Sequence, residues 1–225
     1  MILFVYDFPH RKSQDFILTL KKHRIKINLI IAAPKVSIKS QKLPFKIKLN
    51  VKPIFHPKQL SEIFNIPYYN IPHNSIEIIK RLKKIKPEIG MIAGARILKK
   101  EVIDCFSTGI VNFHPGDIPV IRGLNSSLRA IKKKHPQIVT AHLVNDLIDH
   151  GTIIKKTEIE LNKDDSIIDI NERLYQTQLE MIPEVYNSTI NNEFLSNKLL
   201  NTKYEKDIPY NDINSFIKDF KEYIK

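Results

Sequence analysis

Two short, mostly apolar runs with a helix-spaced segment between them constrain this chain most. Ile2, Leu3, Phe4, Val5 and Tyr6 form the first run, which Asp7-Phe8-Pro9 ends. Residues 27–33 form the second, closed by Pro34. Between them, residues 13–22 place Phe16, Ile17 and Leu20 on one side of a helix. An apolar run without polar alternation suits a strand covered on both faces, as in a parallel sheet. Two such strands joined through a helix make a β-α-β unit with a right-handed crossover.

The rest of the chain continues the alternation. Helices are expected at 57–64, at 75–85 with Ser75 as N-cap and Ile79 and Leu82 inward, and at 99–106, 125–134, 165–188 and 216–224. Strands are expected at 87–93, 109–113, 138–144 and 151–159, the last two joined by a tight polar turn. Residues 35–53 read as irregular and Lys-rich, with a short strand near 45–51. At 225 residues and 42% hydrophobic content, the chain has material for one well-filled domain. The expected architecture is α/β: a Rossmann-like, doubly wound, mostly parallel sheet over residues 1–190, with a short helical C-terminal extension over 191–225.

A formal charge of +12 raises the odds of anionic partners, but the lysines run from Lys12 to Lys225 without gathering in one block. The densest runs, residues 80–84 and 132–134, read as polar helix faces. A single cysteine, Cys105, forbids an intrachain disulfide and fits a reducing compartment. The N-terminus lacks the charged region and cleavage site of a signal peptide, and no apolar run approaches the 18 or so residues of a span, so a cytoplasmic protein without membrane attachment is expected. No cysteine–histidine cluster of zinc type is present, and no metal is expected.

The segment that carries chemistry runs from Gly109 to Gly123: Gly-Ile-Val-Asn-Phe-His-Pro-Gly-Asp-Ile-Pro-Val-Ile-Arg-Gly. Asn112 and His114 are two apart, so on a strand they share a face, and Pro115 stops the strand there. An amide and an imidazole thus emerge together at the carboxyl end of a strand, the edge where open α/β sheets bind ligands. The pair suits acyl transfer: the amide can stabilise an oxyanion and the imidazole can move a proton. A carboxylate to balance the imidazole is available downstream, where residues 140–151 deliver His142 on a strand and then Asp146 and Asp149 in a turn. Physical reasoning on the residues leaves Asp146 and Asp149 open, and leaves His142 as either a core histidine or a support for His114.

These blocks resemble the formyl transferase family of folate-dependent enzymes. The family's Asn-x-His-Pro-Ser, Pro and Arg-Gly elements are matched by Asn112-Phe113-His114-Pro115-Gly116, Pro119 and Arg122-Gly123. Its Thr-x-His-x-Val and Asp-x-Gly elements are matched by Thr140-Ala141-His142-Leu143-Val144 and Asp149-His150-Gly151. The resemblance spans about residues 85–155 and departs at Gly116, where many members have Ser. It implies Asn112, His114 and Asp149 as the catalytic set, and 10-formyltetrahydrofolate as co-substrate. Met91, Ile92, Ala93, Gly94, Ala95, Arg96, Ile97 and Leu98 look like the segment lining the folate pocket, and Asp146 is assigned there with them. Pro115, Gly116 and Arg122 are expected on the acceptor side. By the same resemblance, Asn112 and protonated His114 stabilise the oxyanion, and Asp149 shuttles the proton through an ordered water.

The acceptor is a small-molecule amine, with a phosphorylated or nucleotide-linked one favoured. Glycinamide ribonucleotide enzymes of the family carry Gly-Asn-Gly-Ser-Asn after the first strand, and this chain has Asp7 to Ser13 instead, with His10, Arg11 and Lys12 at the start of a helix, where anions are favoured. The short stretch after the last strand argues against transfer RNA as acceptor, which leaves an amino-sugar nucleotide. Phosphoribosylglycinamide or another amine is the alternative within the family. From another class, a non-catalytic basic module would bind nucleic acid in a salt-sensitive way. The apolar positions Phe216, Phe220 and Ile224 of the last helix are expected to meet the core or a second subunit in a homodimer.

Overall fold

The computed structural model describes residues 1–37, 43–46, 52–195, 204–205 and 207–225. Its strands are β1 (Ile2–Tyr6), β2 (Leu29–Ala33), β3 (Tyr68–Asn70), β4 (Ile89–Ile92), β5 (Gly109–His114), β6 (Ile138–Leu143) and β7 (Ile153–Glu158). They form one sheet in the order β3-β2-β1-β4-β5-β6-β7. From β3 to β5 every pairing is parallel; β5–β6 and β6–β7 are antiparallel. The mostly parallel, doubly wound α/β sheet expected from the sequence is therefore observed.

The helices are α1 (Arg11–Lys22), α2 (Pro57–Ile63), α3 (Ile76–Ile85), α4 (Lys100–Ile103), α5 (Ser126–Lys132), α6 (Ile167–Glu180), α7 (Ile182–Ile190) and α8 (Ile213–Tyr223). One face of the sheet buries Leu3, Val5, Met91, Val111 and Phe113 against Phe16, Ile17 and Leu20 of α1 and against Ile170, Leu174 and Ile182 of α6 and α7. The other face buries Ile2, Phe4 and Ile110 against Ile78 and Leu82 of α3 and Val102 of α4. Alternate residues of each strand thus feed opposite layers, which is why the strands read as continuous apolar runs.

Several details differ from the sequence expectation. Helix α1 starts at Arg11, because the His10 side chain caps it by accepting from the Ser13 N–H. The single helix expected over 165–188 is two, broken at Met181: Pro183 lacks an N–H and is tolerated only in a first turn, where it opens α7. Strand β3 was not expected, and α3 buries Ile78 as well as Leu82, with Ile79 partly buried against the same cluster. The turn expected between β6 and β7 is an arm over residues 144–152, and the ladder beyond it is bulged, with Ala141 opposite Lys155 but His142 opposite Ile153. Within the expected strand near 45–51, Phe45 lies in a bend, and 47–51 fall outside the described residues. The apolar side of α8 is used within the chain: Phe216 and Tyr210 are buried with Leu128 and Ile131 of α5, and Phe216 stacks on Phe45. Among the described residues, no helix is long and apolar enough to cross a membrane.

The core contains an imidazole that makes the fold acid-sensitive. His73 is 4% exposed, lies edge-on to Phe4 and donates from Nε2 to the Ile31 carbonyl at 3.1 Å. Burial pulls its pKa down to about 4, and burial likewise pulls His142 down to about 4. The unfolded chain takes up these protons near pH 6.5, the native state only near pH 4. Their contribution is therefore complete above about pH 6.5 and is lost as the pH falls towards 4, on the order of 3 kcal/mol each. Thermal melts at stepped pH should show the midpoint falling across that window. His73→Leu should flatten the slope, and an unchanged slope in that variant would remove His73 from the account.

Candidate active site

The carboxyl end of β5 delivers Asn112 and His114 on the side of the sheet that also carries Ile110, as their spacing requires. The antiparallel register sets His142 of β6 opposite Asn112 and Thr140 opposite His114. Asn112 Nδ2 lies 3.3 Å from His142 Nε2, and His142 Nδ1 lies 3.2 Å from the Leu143 carbonyl. A neutral imidazole has one N–H. With Nδ1–H given to Leu143, Nε2 accepts from the Asn112 amide, and the depressed pKa of His142 keeps that arrangement above about pH 5. This fixes the rotation of the Asn112 amide and leaves its second N–H for a ligand.

His114 is buried, and both of its ring nitrogens meet acceptors. Nε2 is 2.9 Å from the Ile121 carbonyl and 3.3 Å from Ser126 Oγ, while Nδ1 is 3.4 Å from Asp149 Oδ1. Burial lowers the His114 pKa, and Asp149 and the Ile121 carbonyl pull it back up. A neutral ring has one N–H; with Nε2–H given to the Ile121 carbonyl, Nδ1 faces the carboxylate, where one proton can be shared between the two groups. Asp149 has φ +45, and its Oδ2 accepts from the Gly123 N–H at 2.8 Å. The arm behind it is tied by Arg122, which is buried and donates from Nε to the Ile148 carbonyl at 3.1 Å.

Gly116 explains how His114 and the Ile121 carbonyl come so close. A Cβ at 116 would stand 2.7 Å from His114 Nε2 and 2.9 Å from the Ile121 oxygen. The loop around it is pinned: Thr140 Oγ1 donates to the Gly116 carbonyl at 2.7 Å and accepts from the Ile118 N–H at 3.2 Å. Asp117 is held by His135 Nε2 at 2.8 Å and by Lys156.

A cleft of about 180 Å³ opens on this group. Asn112, His142 and Asp149 line it, with Ile92, Ala95, Arg96, Ile97 and Leu98 on one wall and Val144 to Ile148, Asp146 included, on the other. Its mix of apolar walls with a few convergent polar groups is that of a small-molecule site. Three of the expected lining residues lie elsewhere. Met91 and Ala93 point to the opposite face of the sheet, into the layer under α1, because β4 alternates. Gly94 presses on Tyr6, His10 and Ser13. The sequence reading missed Ile103, Val144, Asn145, Leu147 and Ile148, which flank the motif and were legible only as its neighbours. His114 sits behind Asp149 and is not part of the cleft wall.

Of the three basic residues of the first loop, His10 and Arg11 are engaged within the chain and Lys12 meets neutral acceptors. His10 caps α1 and packs on Tyr6 and Phe8. Arg11 is paired through both terminal nitrogens with Glu172 of α6 and lies over the Tyr175 ring, so its charge is already balanced. Lys12 Nζ reaches the Gln178 side chain at 2.9 Å and the Phe113 carbonyl at 3.2 Å, both uncharged acceptors, and burial lowers its pKa to about 8. Arg122, expected beside the acceptor, donates to the Ile148 carbonyl and so anchors the arm of Asp149. Pro115 is partly exposed at the end of β5.

Comparisons with known proteins accord with this geometry. The family described as formyl transferase matches residues 13–186. A methionyl-tRNA formyltransferase of Clostridium perfringens (strain SM101 / Type A) is 29% identical over 157 residues, which covers 67% of this chain and 49% of that protein. The chain thus spans about half the length of that relative. A phosphoribosylglycinamide formyltransferase of Bacillus subtilis (strain 168) is 25% identical over 135 residues, 56% of this chain and 69% of the relative. Among solved structures, a sugar N-formyltransferase from Shewanella sp FDAARGOS_354 aligns with TM-score 0.60 and 19% identity over 91% of this chain and 74% of its own. The phosphoribosylglycinamide formyltransferase from Bacillus halodurans aligns with TM-score 0.62 and 18% identity over 87% of this chain and all of its own, 100%. At such identities the structural likeness speaks for the fold. With a family match that runs from α1 into α7, the chain belongs to the formyl transferase family.

Proposed function

We propose that this chain transfers a formyl group from 10-formyltetrahydrofolate to a primary amine, and that the amine is carried by a sugar nucleotide. The observation that carries the first part is the convergence of Asn112 and Asp149 on one cleft, with His114 against the carboxylate at 3.4 Å. The cofactor, when bound, supplies an activated formyl group. The free N–H of Asn112 is aimed to hold the negative charge that develops on the formyl oxygen. Asp149 faces the cleft and exchanges a proton with His114, so the pair can take the proton of the attacking amine and return it to the leaving nitrogen. His142 takes no proton; it holds the amide of Asn112.

Lys12 supports an anionic acceptor. Its ammonium has two neutral acceptors and burial lowers its pKa to about 8, so a phosphate beside it would favour the charged form. The resemblance of the fold to a sugar N-formyltransferase supports a sugar-linked amine. The test combines purified protein, 10-formyltetrahydrofolate and a panel of amino-sugar nucleotides, with glycinamide ribonucleotide as control, and follows tetrahydrofolate release. Turnover with a sugar nucleotide that vanishes in Asn112→Ala is the expected result. Turnover with glycinamide ribonucleotide alone would replace the acceptor. Silence across the panel, with no binding of a folate analogue, would overturn the reading.

A further inference from the structure

Gly123 sits at a junction of the active site. Its N–H holds Asp149 Oδ2 at 2.8 Å, and its carbonyl accepts from Ser126 Oγ at 2.9 Å, the hydroxyl that faces His114 Nε2 at 3.3 Å. Two of the three reacting groups therefore depend on where Gly123 is placed. The residue has φ +95, and on its open side lies the C-terminal part of the chain. A Cβ at 123 would come within 2.7 Å of the Glu205 carbonyl oxygen and 3.0 Å of Tyr204 Cε2, so this segment lies flush on the glycine backbone.

The segment is held there by charge. Arg129 of α5 is 4% exposed and donates to Glu205 Oε2 at 2.6 Å, to the Glu205 carbonyl at 3.0 Å and to the Asp207 carbonyl. Its Nε reaches back to the Leu124 carbonyl at 2.9 Å, one residue from the junction. Lys133 pairs with Glu205 Oε1, and Lys132 donates to the Pro209 carbonyl at 2.7 Å. Beyond it, Tyr210 and Phe216 seal against Leu128 and Ile131, and Tyr223 donates to the His135 carbonyl at 2.6 Å. A buried guanidinium with carboxylate and carbonyl partners is a rigid joint, costly to leave half made.

We propose that Tyr204 and Glu205 are positioning residues of the active site: seated on Gly123, they set the placement of Asp149 and, through Ser126, of His114. This rests on the proposed function for its kinetic consequence. The C-terminal segment, expected from the sequence as a tail or dimerisation element, is then part of the catalytic framework.

The test uses the full chain with Glu205→Ala, Glu205→Gln and Tyr204→Ala, and Glu222→Gln as control, since Glu222 pairs with exposed Lys134. Glu205→Ala and Tyr204→Ala should each lower kcat about tenfold with the KM for 10-formyltetrahydrofolate unchanged. Glu205→Gln keeps one acceptor oxygen, enough for the bond from Arg129 but not also for that from Lys133, and should recover part of the rate. In the absence of substrates, the NMR titration of the His114 ring should shift in Glu205→Ala and Tyr204→Ala and stay put in the control. Wild-type kcat and wild-type His114 titration in a folded Glu205→Ala protein would overturn the proposal. Should that variant not fold, the same two readings on Tyr204→Ala decide it. If the wild type transfers no formyl group, the functional reading fails by itself, and the His114 titration still decides whether the segment positions the site.

Discussion

Replacing His114 by alanine is expected to lower turnover by about 10²–10⁴-fold, the usual worth of one positioned acid–base group. The imidazole is in contact with Asp149, and its two ring nitrogens already bridge that carboxylate and the Ile121 carbonyl. Without it, the carboxylate keeps the Gly123 N–H and loses the imidazole with which it exchanges a proton. Asn112→Ala is expected to fall in a similar range, because an oxyanion donor acts where charge develops. The two variants should differ in one respect. Loss of Asn112 also strips His142 Nε2 of its partner, so donor binding at that wall of the cleft should weaken. Steady-state rates together with folate-analogue affinity separate the two. Near-full activity of the His114→Ala protein would remove His114 from the mechanism.

Gly116→Ala should cost about 10²-fold in turnover, a large effect for one methyl group. The added carbon would stand 2.7 Å from His114 Nε2, well inside contact distance, so either the ring or the loop must move. The loop is poorly placed to yield. Thr140 grips the Gly116 carbonyl and the Ile118 N–H, and His135 and Lys156 both hold Asp117. The ring is then the part that shifts, and a displacement near 1 Å at a reacting group is enough for a loss of this size. The same variant should lose about 1–3 kcal/mol of stability from overpacking. Kinetics and a denaturant titration on one preparation test both. A fully active Gly116→Ala enzyme would show that the loop does yield. Since many family members have Ser at this position, the result also bears on how this chain's loop departs from theirs.

The parts of the site that lie on regular elements were legible in the sequence. A period of two along a strand places Asn112 and His114 together, and the same rule, applied to β4, separates Ile92 on the cleft from Met91 and Ala93 in the core. What depends on pairing between distant strands was not legible. His142 supports Asn112 only because β6 runs antiparallel to β5 in one register, and no local pattern states that register. Nor did spacing choose Asp149 over Asp146; the choice follows from a backbone that turns to φ +45 and hands its carboxylate to Gly123. Both aspartates in fact line the cleft, but only Asp149 reaches His114. Arg11 looked free in the sequence because its partner, Glu172, is 161 residues away. Strand β3 is only three residues long and carries no apolar run, so it became visible only beside β2.

The bulge between β6 and β7 has a consequence for how this site can vary among related chains. With His142 opposite Ile153 and Ala141 opposite Lys155, β7 spends one more residue than β6 over the same stretch. A single deletion there would restore an even ladder and turn one edge of the hairpin over, since a one-residue slip exchanges the faces of a strand. A change of length at the tip, near Leu147, carries no such penalty; doubling a loop costs only about 0.6 kcal/mol of closure entropy. Insertions and deletions should therefore accumulate at the tip, where they reshape the wall of the cleft, and be excluded from the two or three positions that keep the imidazole in phase with the amide it supports.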